Sequence, residues 1–139
     1  MIPIPDRPLL HAALQRDEGL RLVPYRDTVG VLTIGYGRNL EAVGISQAEA
    51  DTLLDNDIDA AAIVLTEIWP AWRTASVPRQ HALLNMAFNL GFRLKQFRRM
   101  WAAITTGDWA LAADCAMQSK WATQVKGRAV RITQALRHG

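Results

Sequence analysis

The chain has 139 residues, 50% of them hydrophobic and 21% charged, which is the balance of one globular domain and excludes a disordered, fibrous or membrane-spanning polypeptide. No apolar run approaches the roughly 20 residues that cross a bilayer, so no stable membrane insertion is expected. The net charge of +3 favours anionic partners such as nucleic acid, a membrane surface or bacterial cell-wall polymer, without choosing among them.

The opening MIPIPDRPLL carries prolines where a signal peptide would place a basic segment and a long apolar stretch, so no export signal is read there. Asp6 followed by Pro8 predicts a helix start, with Leu9, Leu10, Ala13 and Leu14 on one face and Gly19 as the stop. Glu18 then falls in the final turn. Residues 21 to 37 change to Val, Tyr, Thr and Ile around the tetrad DTVG, which predicts a short β-hairpin. Ser46 and Glu49 have capping-box spacing and open a long helix that ends near Trp69-Pro70. Pro78 opens a further helix, apolar on every side and closed by Gly91, which reads as the centre of a bundle. Helical stretches follow around 94 to 106, 109 to 118 and 126 to 137, with Asp108 as a cap.

The resulting expectation is an α+β fold in a single domain spanning 1 to 139. A small hairpin lobe of about residues 18 to 45 lies beside a mainly helical remainder, with a cleft between them. An isolated hairpin is barely stable in water and must lean on helices. Cys115 is the only cysteine, so no disulfide can form within the chain, and its helical context reads as a packed thiol. His11, His81 and His138 lack ligand spacing, so neither a metal nor another cofactor is expected. The five tryptophans are scattered through helical stretches and read mostly as core.

The chemistry is concentrated in DEGLRLVPYRDTVGVLTIGYGRN, residues 17 to 39. Inverting cleavage of a glycosidic bond needs one carboxylic acid to protonate the departing oxygen and a base to activate water on the opposite face. Free carbonyls at a helix C-terminus disfavour a carboxylate, which suits Glu18 to hold and deliver a proton. Asp27, at the start of a turn, can accept backbone N–H bonds and stay ionised. Thr33 lies on the second strand, where alternation puts Gly35 and Gly37 on its face and leaves open floor for a sugar ring. Its hydroxyl can hold the attacking water but is too weak a nucleophile for covalent work without an adjacent base. The plainer reading is that a lone Glu and Asp are solvated surface charges and that the glycines serve the turn; spacing alone leaves both open.

The pattern DEGLRLxxYxDTxGxxTIGxG resembles the signature of the phage T4-type lysozymes, glycoside hydrolase family 24, with further echoes in DNDIDAA at 55 to 61, ALLNMAFNLG at 82 to 91 and SKWATQVKGRAVRI at 119 to 132. The resemblance implies a cleft between a small sheet lobe and a helical lobe. It also implies cleavage of the β-1,4 bond between N-acetylmuramic acid and N-acetylglucosamine in peptidoglycan. It makes Glu18 the general acid, Asp27 the carboxylate that activates water or stabilises positive charge, and Thr33 the holder of that water. Arg128 occupies the place of an arginine that pairs with the catalytic glutamate, and its charge would favour the carboxylate form, opposing the helix-end effect. Asp17 and Arg131 match a structural ion pair, and Phe88, Asn89 and Gln124 match stretches lining the sugar cleft. Phe88 is equally well explained as core.

Two departures stand out. Arg38 replaces a histidine that in the family pairs with an acid on the long helix, matched here by Asp57, so an Arg38–Asp57 pair is expected. The connection from Asn39 to Ser46 is shorter than in the family's type member, so the outer subsites are not carried over. As an endolysin the chain would be a monomer, synthesised in the host cytoplasm, released to the periplasm and wall by a separate holin, and bacteriolytic there.

Three competing readings remain. A lytic transglycosylase would cleave the same bond with one acid, against which Asp27 and Thr33 argue. A non-catalytic wall binder would not depend on Glu18. A nucleic-acid module is suggested by Lys126, Arg128 and Arg131, but no nucleic-acid motif accompanies them, so no specific nucleic acid is expected.

Overall fold

The computed structural model describes all 139 residues as an α+β fold with two compact units, Met1–Asp51 and Thr52–Gly139. The first unit holds α1 (Arg7–Glu18), strands β1 (Arg21–Arg26), β2 (Leu32–Gly35) and β3 (Arg38–Asn39), and the start of α2 (Gln47–Ile68). The second holds the rest of α2 with α3 (Val77–Leu90), α4 (Arg98–Thr105), α5 (Trp109–Met117), α6 (Lys120–Val125) and α7 (Gly127–His138). No helix is long and apolar enough to cross a membrane.

Helix α1 starts as its sequence predicts, with the Asp6 carboxylate accepting the Leu9 N–H at 3.3 Å. It stops at Gly19, where φ is 71° and the N–H donates to Gln15 O. The helix buries none of its side chains, and Leu9, Leu10 and Leu14 are all exposed. Its last turn is therefore placed by polar contacts and not by a core.

The three strands form an antiparallel sheet in the order β1-β2-β3. Tyr25 pairs with Thr33 and Arg26 with Leu32, but the register shifts between Arg21 and Tyr25. Pro24 lies within that irregular span and has no N–H to give to a ladder. The expected hairpin is thus present, extended by a two-residue third strand. Alternation does not persist through the second strand as expected, because Gly35 (φ 68°) and Gly37 (φ 72°) turn the chain through Tyr36 into β3.

The capping box at the start of α2 is complete. Glu49 N–H donates to Ser46 Oγ at 3.1 Å, and Ser46 N–H donates to Glu49 Oε2 at 3.2 Å. The same carboxylate takes both Arg38 guanidinium nitrogens, at 2.8 and 3.1 Å. The expectation that Arg38 pairs with Asp57 is corrected accordingly. A planar fork meets a carboxylate already oriented by the cap, which suits a two-bonded pair.

In the second unit, Ser76 caps α3 and Gly91 closes it. That helix is less enclosed than expected: Ala82, Leu83, Met86 and Ala87 are buried, while Val77 and Phe88 are exposed. The stretch expected near 94 to 106 divides into a 3-10 turn, Gly91–Gln96, and α4. Asp108 caps α5 as predicted, accepting the Leu111 N–H at 3.0 Å. Helix α6 was not foreseen; Ser119 caps it, and Lys126 at φ 52° separates it from α7. Arg79 of α3 satisfies the last carbonyls of α7, donating to Leu136 O and Arg137 O.

Leu65, Leu83, Met86, Leu94, Met100 and Leu136 are fully buried, each contributing about 1.5–3 kcal/mol relative to exposure. Trp72 and Trp121 belong to this core, and Trp69, Trp101 and Trp109 pack against it with Cys115. Ring centroids of Trp69 lie 6.1 Å from Trp101 and 6.0 Å from Trp109.

Arg38 and the Ser46 N–H together hold the Glu49 carboxyl below the usual glutamate range. A lowered folded-state value means that the pair stabilises the protein above the unfolded value of about 4.3 and that this contribution disappears as pH falls through the folded value. Thermal unfolding of wild type and Glu49→Gln from pH 7 to pH 3 should show wild type more stable at pH 7, with the gap closing towards pH 3. A gap independent of pH would contradict this assignment.

Candidate active site

The segment that carries Glu18, Asp27 and Thr33 lies wholly within the first unit. Asp27 begins a tight loop in which Gly30 N–H donates to Asp27 O and Asp27 N–H donates to Val31 O, both at 3.0 Å. The Asp27 side chain closes the same loop from inside: its Oδ1 accepts the N–H of Val29 at 2.9 Å and of Val31 at 2.8 Å. Two backbone donors on one oxygen fix the direction of the carboxylate. Within this unit Oδ2 makes no hydrogen bond, so it retains its full accepting capacity.

Thr33 is anchored on the same residue. Its Oγ1 donates to Val31 O at 2.8 Å. With its proton committed there, the hydroxyl has lone pairs left to accept from a water. Thr33 is 4% exposed and is the one buried residue of the first unit. Its neighbours across the sheet are Tyr25 on β1 and Asn39 on β3. Val31 therefore joins Asp27 and Thr33 through its N–H and its carbonyl. The sequence reading did not single out Val31, because a backbone anchor leaves no mark in side-chain identity.

Glu18 approaches the turn that follows the second strand. It is exposed, on the last turn of α1, and its carboxylate reaches over Gly37. A Cβ on Gly37 would lie 2.5 Å from Glu18 Oε2 and 3.0 Å from its Cδ, so a side chain there would push the exposed carboxylate out of its present place. At Gly35, by contrast, a Cβ would meet nothing within 4 Å. The two glycines, read from the sequence as one open floor, have separate tasks: Gly35 leaves open space, and Gly37 seats the acid. Arg26 braces the loop, donating to Gly30 O at 3.0 Å and pairing with Glu41 at 3.1 Å.

The remaining candidates lie in the second unit. Arg128 donates from Nε to Asn85 Oδ1 at 2.9 Å and, with Phe88, Leu54, Ile58 and His81, lines a hollow of about 440 Å³. Phe88 is 44% exposed, which favours a surface role over the core reading. Asn89 Oδ1 accepts the Trp121 indole N–H at 2.7 Å. Gln124 lines a different hollow of about 560 Å³, with Arg98, Arg99, Lys120 and Trp121. Within the first unit, Asp17 makes an exposed contact with Arg16 at 3.6 Å.

Comparison with known proteins adds a family to this geometry. The phage lysozyme family matches residues 15–138. The pre-baseplate central spike protein Gp5 of Enterobacteria phage T4 is 34% identical over 169 aligned positions, which take in 99% of this chain and 29% of that protein. Two probable T4-type lysozymes of Dictyostelium discoideum are each 26% identical, over 91% of this chain and 92% of theirs. The chain thus spans less than a third of the spike protein but nearly all of each Dictyostelium relative.

Alanine at Gly35 or Gly37 places a side chain at positive φ, which costs about 1–2 kcal/mol at either site. Only Gly37→Ala also displaces an acid. Gly35→Ala should lower the melting temperature and leave the Glu18 carboxyl carbon-13 resonance in place, whereas Gly37→Ala should lower it by a similar amount and also move that resonance. Identical Glu18 resonances in the two variants would show that Gly37 does not seat the acid.

Proposed function

Because the chain belongs to the phage lysozyme family, and with it to the lysozyme-type glycoside hydrolases, we propose that it hydrolyses the β-1,4 bond between N-acetylmuramic acid and N-acetylglucosamine in peptidoglycan by an inverting route. Glu18 gives its proton to the departing glycosidic oxygen. Asp27 takes a proton from water through Oδ2 as that water attacks the anomeric carbon from the opposite face. Thr33 holds the water by accepting one of its hydrogens. The bond from the anomeric carbon to the leaving oxygen breaks as the bond to water forms; one proton has left Glu18 and one has reached Asp27, and exchange with solvent restores both.

The observation that carries this reading is the shared anchor on Val31. A carboxylate with one oxygen saturated by backbone N–H groups is held in one direction, and a hydroxyl fixed to the same residue can orient the water between them. A transglycosylase, which uses the sugar's own hydroxyl as nucleophile, has no need of either. Phe88, Asn89 and Gln124 bind sugar residues along the glycan strand. The protein acts as a monomer, made in the host cytoplasm, admitted to the wall by a separate holin, and lyses the host.

A second physiological setting for the same chemistry is favoured by the 34% identity to a stretch of a phage central spike protein. In that setting the chain is a wall-cutting module of a larger assembly, opening peptidoglycan locally.

The test uses Gram-negative cells stripped of their outer membrane. Wild type should clear the suspension and release new reducing ends, and Glu18→Gln and Asp27→Asn should each lower the rate by on the order of 10²–10⁴-fold while remaining folded. Anhydro-muramic ends in place of reducing ends would overturn hydrolysis, and unchanged clearing by Glu18→Gln would overturn the assigned acid.

A further inference from the structure

The acid at Glu18 belongs to a helix that buries nothing, and within the first unit its carboxylate makes no hydrogen bond of its own. The seat at Gly37 excludes a clash but does not attract the helix. One side-chain bond does tie the end of α1 to the sheet: Gln15 Nε2 donates to the Tyr36 hydroxyl oxygen at 3.1 Å. Gln15 precedes Glu18 by three residues and therefore shares its face of the helix. Tyr36 immediately precedes Gly37 in the turn between β2 and β3. The bond thus links the two segments whose approach brings the Glu18 carboxylate over Gly37.

We propose that the Gln15 amide and the Tyr36 hydroxyl are a positioning pair, which holds the last turn of α1 in the register that delivers the Glu18 proton. The inference rests on the reading of Glu18 as the general acid. The acid's placement otherwise depends on a glycine-stopped helix end, with exposed leucines and two exposed residues, Asp17 and Glu18, in its last turn. Proton transfer is steeply sensitive to geometry: a misplacement of about 1 Å can cost on the order of 10²-fold. Gln15 is only partly exposed and the bond spans 21 residues of sequence, so it constrains the helix against a different part of the chain. The Tyr36 hydroxyl accepts in this bond, which leaves its own hydrogen free. An alternative use of Tyr36, as a donor to a sugar hydroxyl, would make it a substrate contact and not a positioning residue, and the two uses separate kinetically.

The experiment compares wild type, Gln15→Met, Tyr36→Phe and the double variant, each shown to be folded by its melting curve, on soluble labelled peptidoglycan with kcat and KM measured separately. The expected result is a fall in kcat of about 3- to 10-fold in each single variant. KM should change less than about twofold, and the double variant should be no slower than the worse single one, because both substitutions remove the same bond. A purely structural bond would lower the melting temperature and leave kcat intact, which would overturn the proposal. A raised KM for Tyr36→Phe with Gln15→Met unchanged would overturn it in favour of substrate contact. Activity in wild type that is equally present in Glu18→Gln would remove the reading of Glu18, whereas activity lost in Glu18→Gln but untouched by the pair would remove only the present inference.

Discussion

An acid on the final turn of a helix that buries none of its side chains needs space beside the neighbouring ribbon. Here the ribbon offers a residue without a side chain. Gly37 leaves the space that the Glu18 carboxylate occupies, and even one additional carbon there would meet the acid at 2.5 Å. Around that point the first unit is ordered by the stop at Gly19, the loop closed by Asp27, the turn through positive φ at Gly35 and Gly37, and the Arg38–Glu49 pair that ties β3 to the start of α2.

The two units are stabilised by different physics. The second has a continuous apolar core with six large side chains fully out of water. The first buries a single residue, Thr33, and is organised by backbone turns, two capping carboxylates and a few charged pairs. Such a region has low local stability for its size, and binding and catalytic segments are commonly drawn from that end of the range. The polar network also directs lone pairs and protons. Asp27 keeps one oxygen saturated and one without a partner in its unit, and Thr33 spends its hydrogen on Val31. A hydrophobic core could fix positions but not those directions.

What was legible in the sequence was what depends on neighbours three or four residues away. Asp6, Ser46, Asp108, Gly19 and Gly91 each mark a helix end through a contact within one turn, and each is found at that end. Arg38 shows where this breaks down. Glu49 was read only as the reciprocal half of a capping box, yet a carboxylate has two oxygens with room for several donors, and the arginine eleven residues earlier takes both. The short α6 and the two-residue β3 are too brief to show a period. At the site, spacing alone could not separate Glu18 and Asp27 from solvated surface charges, and the family signature raised them to candidates. The contacts of Val31, Gly37 and Tyr36 were not legible, because each involves a backbone group, an absent side chain or a partner distant in sequence.

If water attacks from the Asp27 side while Glu18 protonates the leaving oxygen from the other, cleavage inverts the anomeric carbon. The anomeric configuration of the first-formed product tests this most directly. Proton NMR of a cleavage reaction, recorded before mutarotation equilibrates the new reducing end, should show the α-anomer appearing first, as single displacement at a β-linked carbon requires. The β-anomer appearing first would mean retention, through a covalent or otherwise shielded intermediate, and would contradict the assignment of Asp27 as the group that activates water.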